Sequence, residues 1–357
     1  MFTGDGMKIQ ITKNKEIVDF GKPYIIAEIG ANHNGDMALA KKMIDSAKEC
    51  GADAVKFQSW TRNSIVSEGE YQKNQSYDDC PKKHFGSLED MVEKYYLRTD
   101  EHFELKEYCK SIGIDFNSTA FTKEEVDLLN ELDVEFYKVA SMDINNYGLL
   151  EYMASFNKPM VLSTGMATLA EIEKAVHLIE SKGNTQIVLL HCISIYPPEN
   201  SDIHLNNITM LRKAFGYPVG FSDHSIGFSI PLAAVALGSC VIEKHFTTDK
   251  ELPGWDHKVS ADAYDMKIIC QESENIVEAM GNFKRIVSPA EQDKKLKFRR
   301  SALLKQSLPA GHVLSEKDIL FKRPGTGIEC DELKYIVGRQ LKKPLEADSL
   351  LDWSDLV

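Results

Sequence analysis

The stretch 221–246, FSDHSIGFSIPLAAVALGSCVIEKHF, holds chemically capable side chains at both ends. It opens on the polar turn Ser222-Asp223-His224 and closes on Glu243, Lys244 and His245, with an apolar, Ala-rich segment of helical character between. If both ends are strand termini joined by one helix, they share a rim of a parallel sheet, and His224 and His245 face one metal ion. Imidazole ligates Mn, Fe, Co, Ni and Zn, and two imidazoles leave coordination positions open for water and substrate. On this stretch alone, a pair of unrelated loop histidines is the competing reading.

The elements needed to build such a rim are legible along the chain. Residues 7–20 alternate apolar and polar around Lys13-Asn14-Lys15, which predicts a hairpin ahead of the main fold. After Pro23, strand-length apolar runs recur at 24–29, 54–57, 114–117, 136–139, 160–163, 187–191, 219–222 and 241–245. Between and after them lie amphipathic segments such as 37–50, 88–111, 123–132, 169–181, 231–237 and 263–280, several of them stopping at a glycine. Eight β-then-α units predict an α/β fold, a (β/α)8 TIM barrel, with the active site at the C-terminal ends of its strands. A doubly wound open sheet is the alternative, but Gly30-Ala-Asn-His-Asn-Gly35 lacks the dinucleotide-binding glycine pattern. Residues 60–87 read as a long polar loop on the catalytic rim. Residues 286–300, with Pro289 and a basic run, read as a linker between a barrel domain of 1–285 and a small domain of 301–357. That last piece is expected to have little core of its own and to pack on a barrel.

A net charge of −12 and a pI near 5.4 argue against a nucleic-acid or membrane-surface binder. An anionic substrate would therefore need a local cluster of cations. Seven cysteines without a C-x-x-C pair read as reduced thiols, and no signal-like start or apolar run near membrane-spanning length is present. The expectation is a cytoplasmic enzyme.

The predicted strand ends carry Glu28; Lys56 and Gln58; Asn117-Ser118-Thr119; Lys138, Ser141 and Asp143; Ser163-Thr164-Gly165; His191, Ser194 and Tyr196; Ser222, Asp223 and His224; Glu243 and His245. Packing does not account for polar groups at all eight ends. Two lysines and several hydroxyls suit a phosphate and a carboxylate. Two histidines suit a metal that polarises a carbonyl, and Glu28, Asp143 and Asp256 suit sugar hydroxyls or proton transfer. Together they suggest a metal-assisted reaction between a phosphorylated acid and a polyhydroxy aldehyde.

The segments AEIGANHNG (27–35), VKFQ (55–58), FYKVAS (136–141), LSTG (162–165), LHCISIYP (190–197), GFSDH (220–224) and VIEKHF (241–246) resemble the sialic acid synthase family. These are N-acetylneuraminate synthases and relatives that make other nonulosonic acids. KRPGTG at 322–327 resembles the signature of the SAF (antifreeze-like, β-clip) domain that follows the barrel there. The resemblance covers nearly the whole chain. It implies a transferase that condenses phosphoenolpyruvate with N-acetylmannosamine or a related N-acylated aldose, cleaving C–O and releasing phosphate. A legionaminic- or pseudaminic-type synthase using a 2,4-diacetamido-trideoxy hexose is the alternative. By position, it implies His224 and His245 as ligands of a divalent metal, Mn2+ or Mg2+. Lys56, Lys138, Ser141, Ser163 and Ser222 would grip phosphoenolpyruvate. Glu28, Gln58, Tyr196 and Asp256 would face the sugar or the metal-bound water, with Glu28 the first candidate for proton transfer and Asp256 its rival. Arg323 would reach the sugar in the neighbouring subunit of a domain-swapped homodimer.

Three positions depart from that pattern: Asp143 replaces a glutamate, Ser194 an asparagine and Trp255 a proline, all expected near the substrates. A carboxylate one methylene shorter makes room for a bulkier sugar substituent. His191 favours the sialic and legionaminic branches over the pseudaminic one. His33 and His257 read as supporting or surface histidines, and His84, His102, His177, His204 and His312 are assigned no role. The rivals are other phosphoenolpyruvate–aldose synthases, which lack the tail and whose metal forms use a cysteine ligand; a carbohydrate-binding protein; and a metal aldolase acting on pyruvate.

Overall fold

The apolar runs pair edge to edge until they close on themselves. The computed structural model describes residues 6–75, 87–282 and 284–357. Strands β1 (Ile9–Thr12) and β2 (Lys15–Ile17) form the antiparallel hairpin. Then come β3 (Tyr24–Gly30), β4 (Ala54–Gln58), β5 (Asp115–Thr119), β6 (Tyr137–Val139), β7 (Met160–Ser163), β8 (Ile187–Cys192), β9 (Val219–Asp223) and β10 (Val241–His245). These eight are parallel and closed, in the order β10-β3-β4-β5-β6-β7-β8-β9. They match the predicted runs to within a residue or two.

Each strand leads into a helix that covers the barrel's outside. Met37–Cys50 shows why such segments fold locally: Asp36 Oδ1 accepts from the Ala38 amide at 2.8 Å, Met43, Ile44 and Ala47 are buried, and Gly51 ends the helix in the left-handed region. The outer core lies between helices and strands and includes Ile25, Val55, Leu105 and Ile269. A separate inner core fills the barrel's lower half: Tyr24, Ile26, Phe136, Val161, Val188, Leu190 and Val241, with Ile9, Ile11 and Ile17 of the hairpin. The hairpin thus plugs the end opposite the strands' C-termini. It is fastened there by the Asp19–Arg212 ion pair at 2.9 Å.

Several expectations need correction. The segment 60–87 is not simply a loop: Arg62–Ile65 and Glu68–Lys73 are helical, while 76–86, with Cys80 and His84, lie outside the described residues. Trp60, Tyr71, Leu88, Met91, Val92, Tyr95 and Phe121 form a small apolar cluster of their own, against which Trp255 packs. The predicted helix 88–111 is two, Leu88–Tyr95 and Thr99–Ile112, because the Arg98 amide donates to Glu101 Oε2 at 2.8 Å and starts a new helix. The linker 286–300 holds the helix Pro289–Phe298, capped by Ser288 with proline in its first turn.

That helix belongs to a second unit, Asn282–Val357. Strands β11 (Ser301–Leu304) and β12 (Ile319–Lys322) pair antiparallel within it. Contrary to expectation the unit has its own core, built from Ala302, Leu304, Leu308, Leu314, Ile328, Ile336, Leu341, Leu351 and Leu356. Dispersed leucines on irregular backbone give no periodic signal in sequence. No helix among the described residues is long and apolar enough to cross a membrane.

Candidate active site

Strand parity selects which polar residues enter the barrel. Alternate residues of a barrel strand face inward. Tyr24 and Ile26 belong to the inner core, so Glu28 continues inward above them; Phe136 and Val241 set the same phase for Lys138 and Glu243. Inward apolar residues thus occupy the lower layers and inward charges the upper.

The centre is a quartet of two lysines and two carboxylates, with no side chain more than 8% exposed. Lys56 Nζ lies 2.7 Å from Glu28 Oε2, 3.9 Å from Glu243 Oε2 and 2.9 Å from Thr119 Oγ1. Lys138 Nζ donates to Ser163 Oγ at 2.7 Å and stands 3.5 Å from Glu243 Oε1. Ser222 Oγ donates to Glu243 Oε1 at 3.0 Å, and Gln58 Nε2 to Glu28 Oε1 at 2.9 Å. Burial pushes the Glu28 carboxyl up to about 7, with Lys56 opposing and Glu243 adding to the rise. Burial acts on Glu243 in the same sense, but Lys138 and Lys56 outweigh it and hold that carboxyl below its usual range. Burial also lowers the Lys138 ammonium. Glu243 lies between both lysines, yet the sequence reading gave it no role. The alternation from Val241 was the available signal.

Beside the quartet stand the two imidazoles, ring centroids 5.5 Å apart, with the Tyr196 ring 4.0 Å from His224 and 5.8 Å from His245. His224 Nδ1 is tied to the Ile193 carbonyl at 2.7 Å; burial alone would lower this imidazole, but its hydrogen bonds to the Cys192 thiol and the Ile193 carbonyl outweigh burial and raise it above its ordinary range. His245 Nδ1 is buried with no hydrogen-bond partner among the described residues, and Asp256 Oδ2 approaches it to 3.9 Å. Burial, helped by His224 and Lys56, holds His245 well below its ordinary range, so it is neutral and the approach of Asp256 is not an ion pair. Neutral imidazole is the metal-binding form. Among the described residues no three His, Cys, Asp or Glu side chains converge as a preformed metal cluster. The donor set fits an ion held by two imidazoles, with its other positions left to water and substrate. Gly30, at φ 54°, lets these groups meet: a Cβ there would sit 3.2 Å from Glu28 Oε1, 3.4 Å from Gln58 Nε2 and 3.7 Å from His245 Cε1.

A hydroxyl-lined edge completes the mouth. The Gly165 amide donates to Ser141 Oγ at 3.1 Å, and a Cβ at Gly165 would collide with both the Ser141 and Ser194 hydroxyls. Asp143 is buried; its Oδ1 accepts from Asn146, its Oδ2 has no hydrogen-bond partner among the described residues, and burial raises its pKa. Arg323 lies in the second unit with its guanidinium 4.8 Å from the Phe298 ring. Two strand-end residues leave the ring: His191 stacks on Phe221 and bonds the Ile203 carbonyl, and Asp223 pairs with Lys244, both pointing away from the mouth. His33, His102 and His257 are buried and hydrogen-bonded, to the Gly35 amide, to Ser59 and to Thr247 respectively.

A closed parallel barrel with paired cations, carboxylates and two imidazoles at the C-terminal ends of its strands has the arrangement of an enzyme active site. Residues 43–285 match the NeuB family and residues 299–357 the SAF domain. The N,N'-diacetyllegionaminic acid synthase of Legionella pneumophila is 39% identical, over 93% of this chain and 94% of that protein. Human N-acetylneuraminate-9-phosphate synthase is 34% identical, over 92% and 91%. The crystal structure of N-acetylneuraminic acid (sialic acid) synthetase from Leptospira borgpetersenii, in complex with citrate, has a TM-score of 0.73 at 35% identity, covering 81% of this chain and 95% of that one. The chain belongs to the NeuB family, the nonulosonic acid synthases.

Proposed function

We propose that the barrel condenses phosphoenolpyruvate with an N-acylated mannosamine-type aldose, forming a C–C bond and releasing phosphate by C–O cleavage. The observation that carries this reading is the quartet of Lys56, Lys138, Glu28 and Glu243 beside the two imidazoles of His224 and His245. With its lysines and carboxylates charged, the quartet sums to zero. A ligand bearing a phosphate and a carboxylate therefore needs further positive charge, which a divalent ion and a proton on Glu28 provide.

When bound between His224 and His245, Mn2+ or Mg2+ supplies Lewis-acid polarisation of the aldehyde oxygen. Lys56, Lys138 and the hydroxyls of Ser141, Ser163 and Ser222 hold the carboxylate and phosphate, orienting C3 of the enol ester toward the aldehyde carbon. As that bond forms, water adds at C2 and the tetrahedral carbon expels phosphate, which takes the bridging oxygen with it. Glu28, with its pKa near neutrality, is suited to move the proton between water and product, and Asp256 is the rival for that task. Gln58, Tyr196, Asp143 and Ser194 line the aldose side.

A finer reading within this class is an aldose of the 2,4-diacetamido-trideoxy type. Trp255, next to Asp256 in sequence and in contact with the buried Trp60, replaces the proline, and Asp143 is the shorter acid. Identity is also higher to the legionaminic acid synthase, 39%, than to the human enzyme, 34%. Exposed Met142, Met166, Ile195, Tyr196 and Ile226 on the loops after β6 to β9 support a domain-swapped homodimer, in which a second copy covers them.

The test is phosphate release from phosphoenolpyruvate with Mn2+ and N-acetylmannosamine, its 6-phosphate, or 2,4-diacetamido-2,4,6-trideoxymannose. The expected result is aldose-dependent release that disappears in His224→Ala. A metal-loaded enzyme that releases no phosphate with any aldose overturns the reading.

A further inference from the structure

The barrel interior accounts for the inward charges, but the most deeply buried ion pair outside it, among the described residues, joins Asp223 to Lys244. Asp223 and Lys244 are register partners on β9 and β10, and each immediately precedes an imidazole, His224 or His245. Lys244 Nζ lies 2.5 Å from Asp223 Oδ2, and both side chains are 1% exposed. Asp223 Oδ1 accepts from the Ser225 amide at 2.9 Å, and Lys244 Nζ also donates to the Ser225 carbonyl. Two contacts of Lys244 Nζ therefore clamp the turn that carries His224 to the strand that carries His245, and the Asp223–Ser225 bond stiffens the turn itself. Both charged groups point away from the mouth and touch no reacting group.

We propose that Asp223 and Lys244 are positioning residues that set the separation and orientation of the two imidazoles for a divalent cation. This rests on the reading of His224 and His245 as its ligands. Stability alone does not explain the pair, because a buried ion pair is generally no better than well-packed apolar residues of equal volume. What charge adds is direction. Apolar neighbours can slide, whereas an ammonium shared between Asp223 Oδ2 and the Ser225 carbonyl fixes both strand ends together. The Ile193 carbonyl orients the His224 ring within that frame. Ligand-orienting contacts of this kind typically govern metal affinity by about 10- to 100-fold.

The experiment measures Mn2+ binding to the full-length protein by electron paramagnetic resonance, without substrate. Asp223→Asn/Lys244→Met removes both charges but keeps the volume and the acceptor for the Ser225 amide. Its expected Mn2+ affinity is about 10-fold or more below wild type. The Mn2+ concentration for half-maximal activity should rise in step, while kcat at saturating Mn2+ largely recovers. A folded double variant with wild-type Mn2+ affinity overturns the proposal. Should that variant fail to fold, Asp223→Glu decides: it keeps the charge but displaces the carboxylate by one methylene, so weaker binding is expected and unchanged binding overturns the proposal. Wild-type protein that binds no Mn2+ overturns the metal reading itself, a different result from an unaffected variant.

Discussion

Lys56 Nζ lies 2.7 Å from Glu28 Oε2 inside the barrel, with both side chains almost wholly removed from water. Breaking such a pair from one side leaves an uncompensated buried charge, at a cost of roughly 3–5 kcal/mol. Lys56→Met is expected to lower the urea midpoint accordingly and to reduce phosphate release roughly 100- to 1,000-fold. Glu28→Gln/Lys56→Met should recover much of the stability and none of the activity. A single variant as stable and active as wild type would remove Lys56 from the proposed site.

Glu243 bears on both lysines, so neutralising it should separate stability from ligand affinity. Glu243→Gln leaves Lys138 and Lys56 less compensated, and the apo protein should melt earlier. Phosphoenolpyruvate, as the replacement anion, should then raise Tm more in this variant than in wild type. Equal ligand-induced shifts in a thermal-melt comparison would show that Glu243 does not compete with the substrate for those cations.

Arg323 offers a test of the swapped dimer. Arg323→Ala should raise KM for the aldose more than KM for phosphoenolpyruvate. Mixing it with inactive His224→Ala should restore activity, because in a mixed dimer the intact barrel would receive its arginine from the partner chain. Mixed subunits that regain nothing would place Arg323 in its own barrel or outside the site.

The buried histidines predict an acid-sensitive fold. Burial lowers His33 from an ordinary 6.5 to about 4, and His257 likewise to about 4. Between pH 6.5 and 4 the unfolded chain binds protons that the folded chain excludes, so this contribution is complete above 6.5 and is lost as pH falls toward 4. His33→Asn retains an acceptor for the Gly35 amide. It should flatten the slope of unfolding free energy against pH by about 1.4 kcal/mol per unit over that window. Identical slopes for variant and wild type in urea titrations would show that His33 is protonated in the fold.

Much of the scaffold was legible because its signals are local. Apolar runs in β3 to β10 are buried on both faces, so they stand out at strand length, and capped segments such as Met37–Cys50 and Leu169–Ser181 carry helical period with defined ends. The segment 60–75 and the helix Pro289–Phe298 were not legible. Short helices stabilised by aromatic contacts from distant loops, or exposed along their whole length, lack an apolar stripe.

By itself the sequence determined the order of the elements, the barrel they form, and the set of polar residues at the strand ends, because strand length, capping and turn chemistry are written within a few neighbouring residues. Only the tertiary structure decided which of those residues meet. Closure brings β10 beside β3, so Glu243 and His245 join Glu28 and Lys56 from the far end of the chain. Strand parity then sends His191, Asp223 and Lys244 outward while it admits Glu243. The physical reason is that inward and outward positions differ by a single residue, a distinction set by which core each strand packs against rather than by the residue's own chemistry.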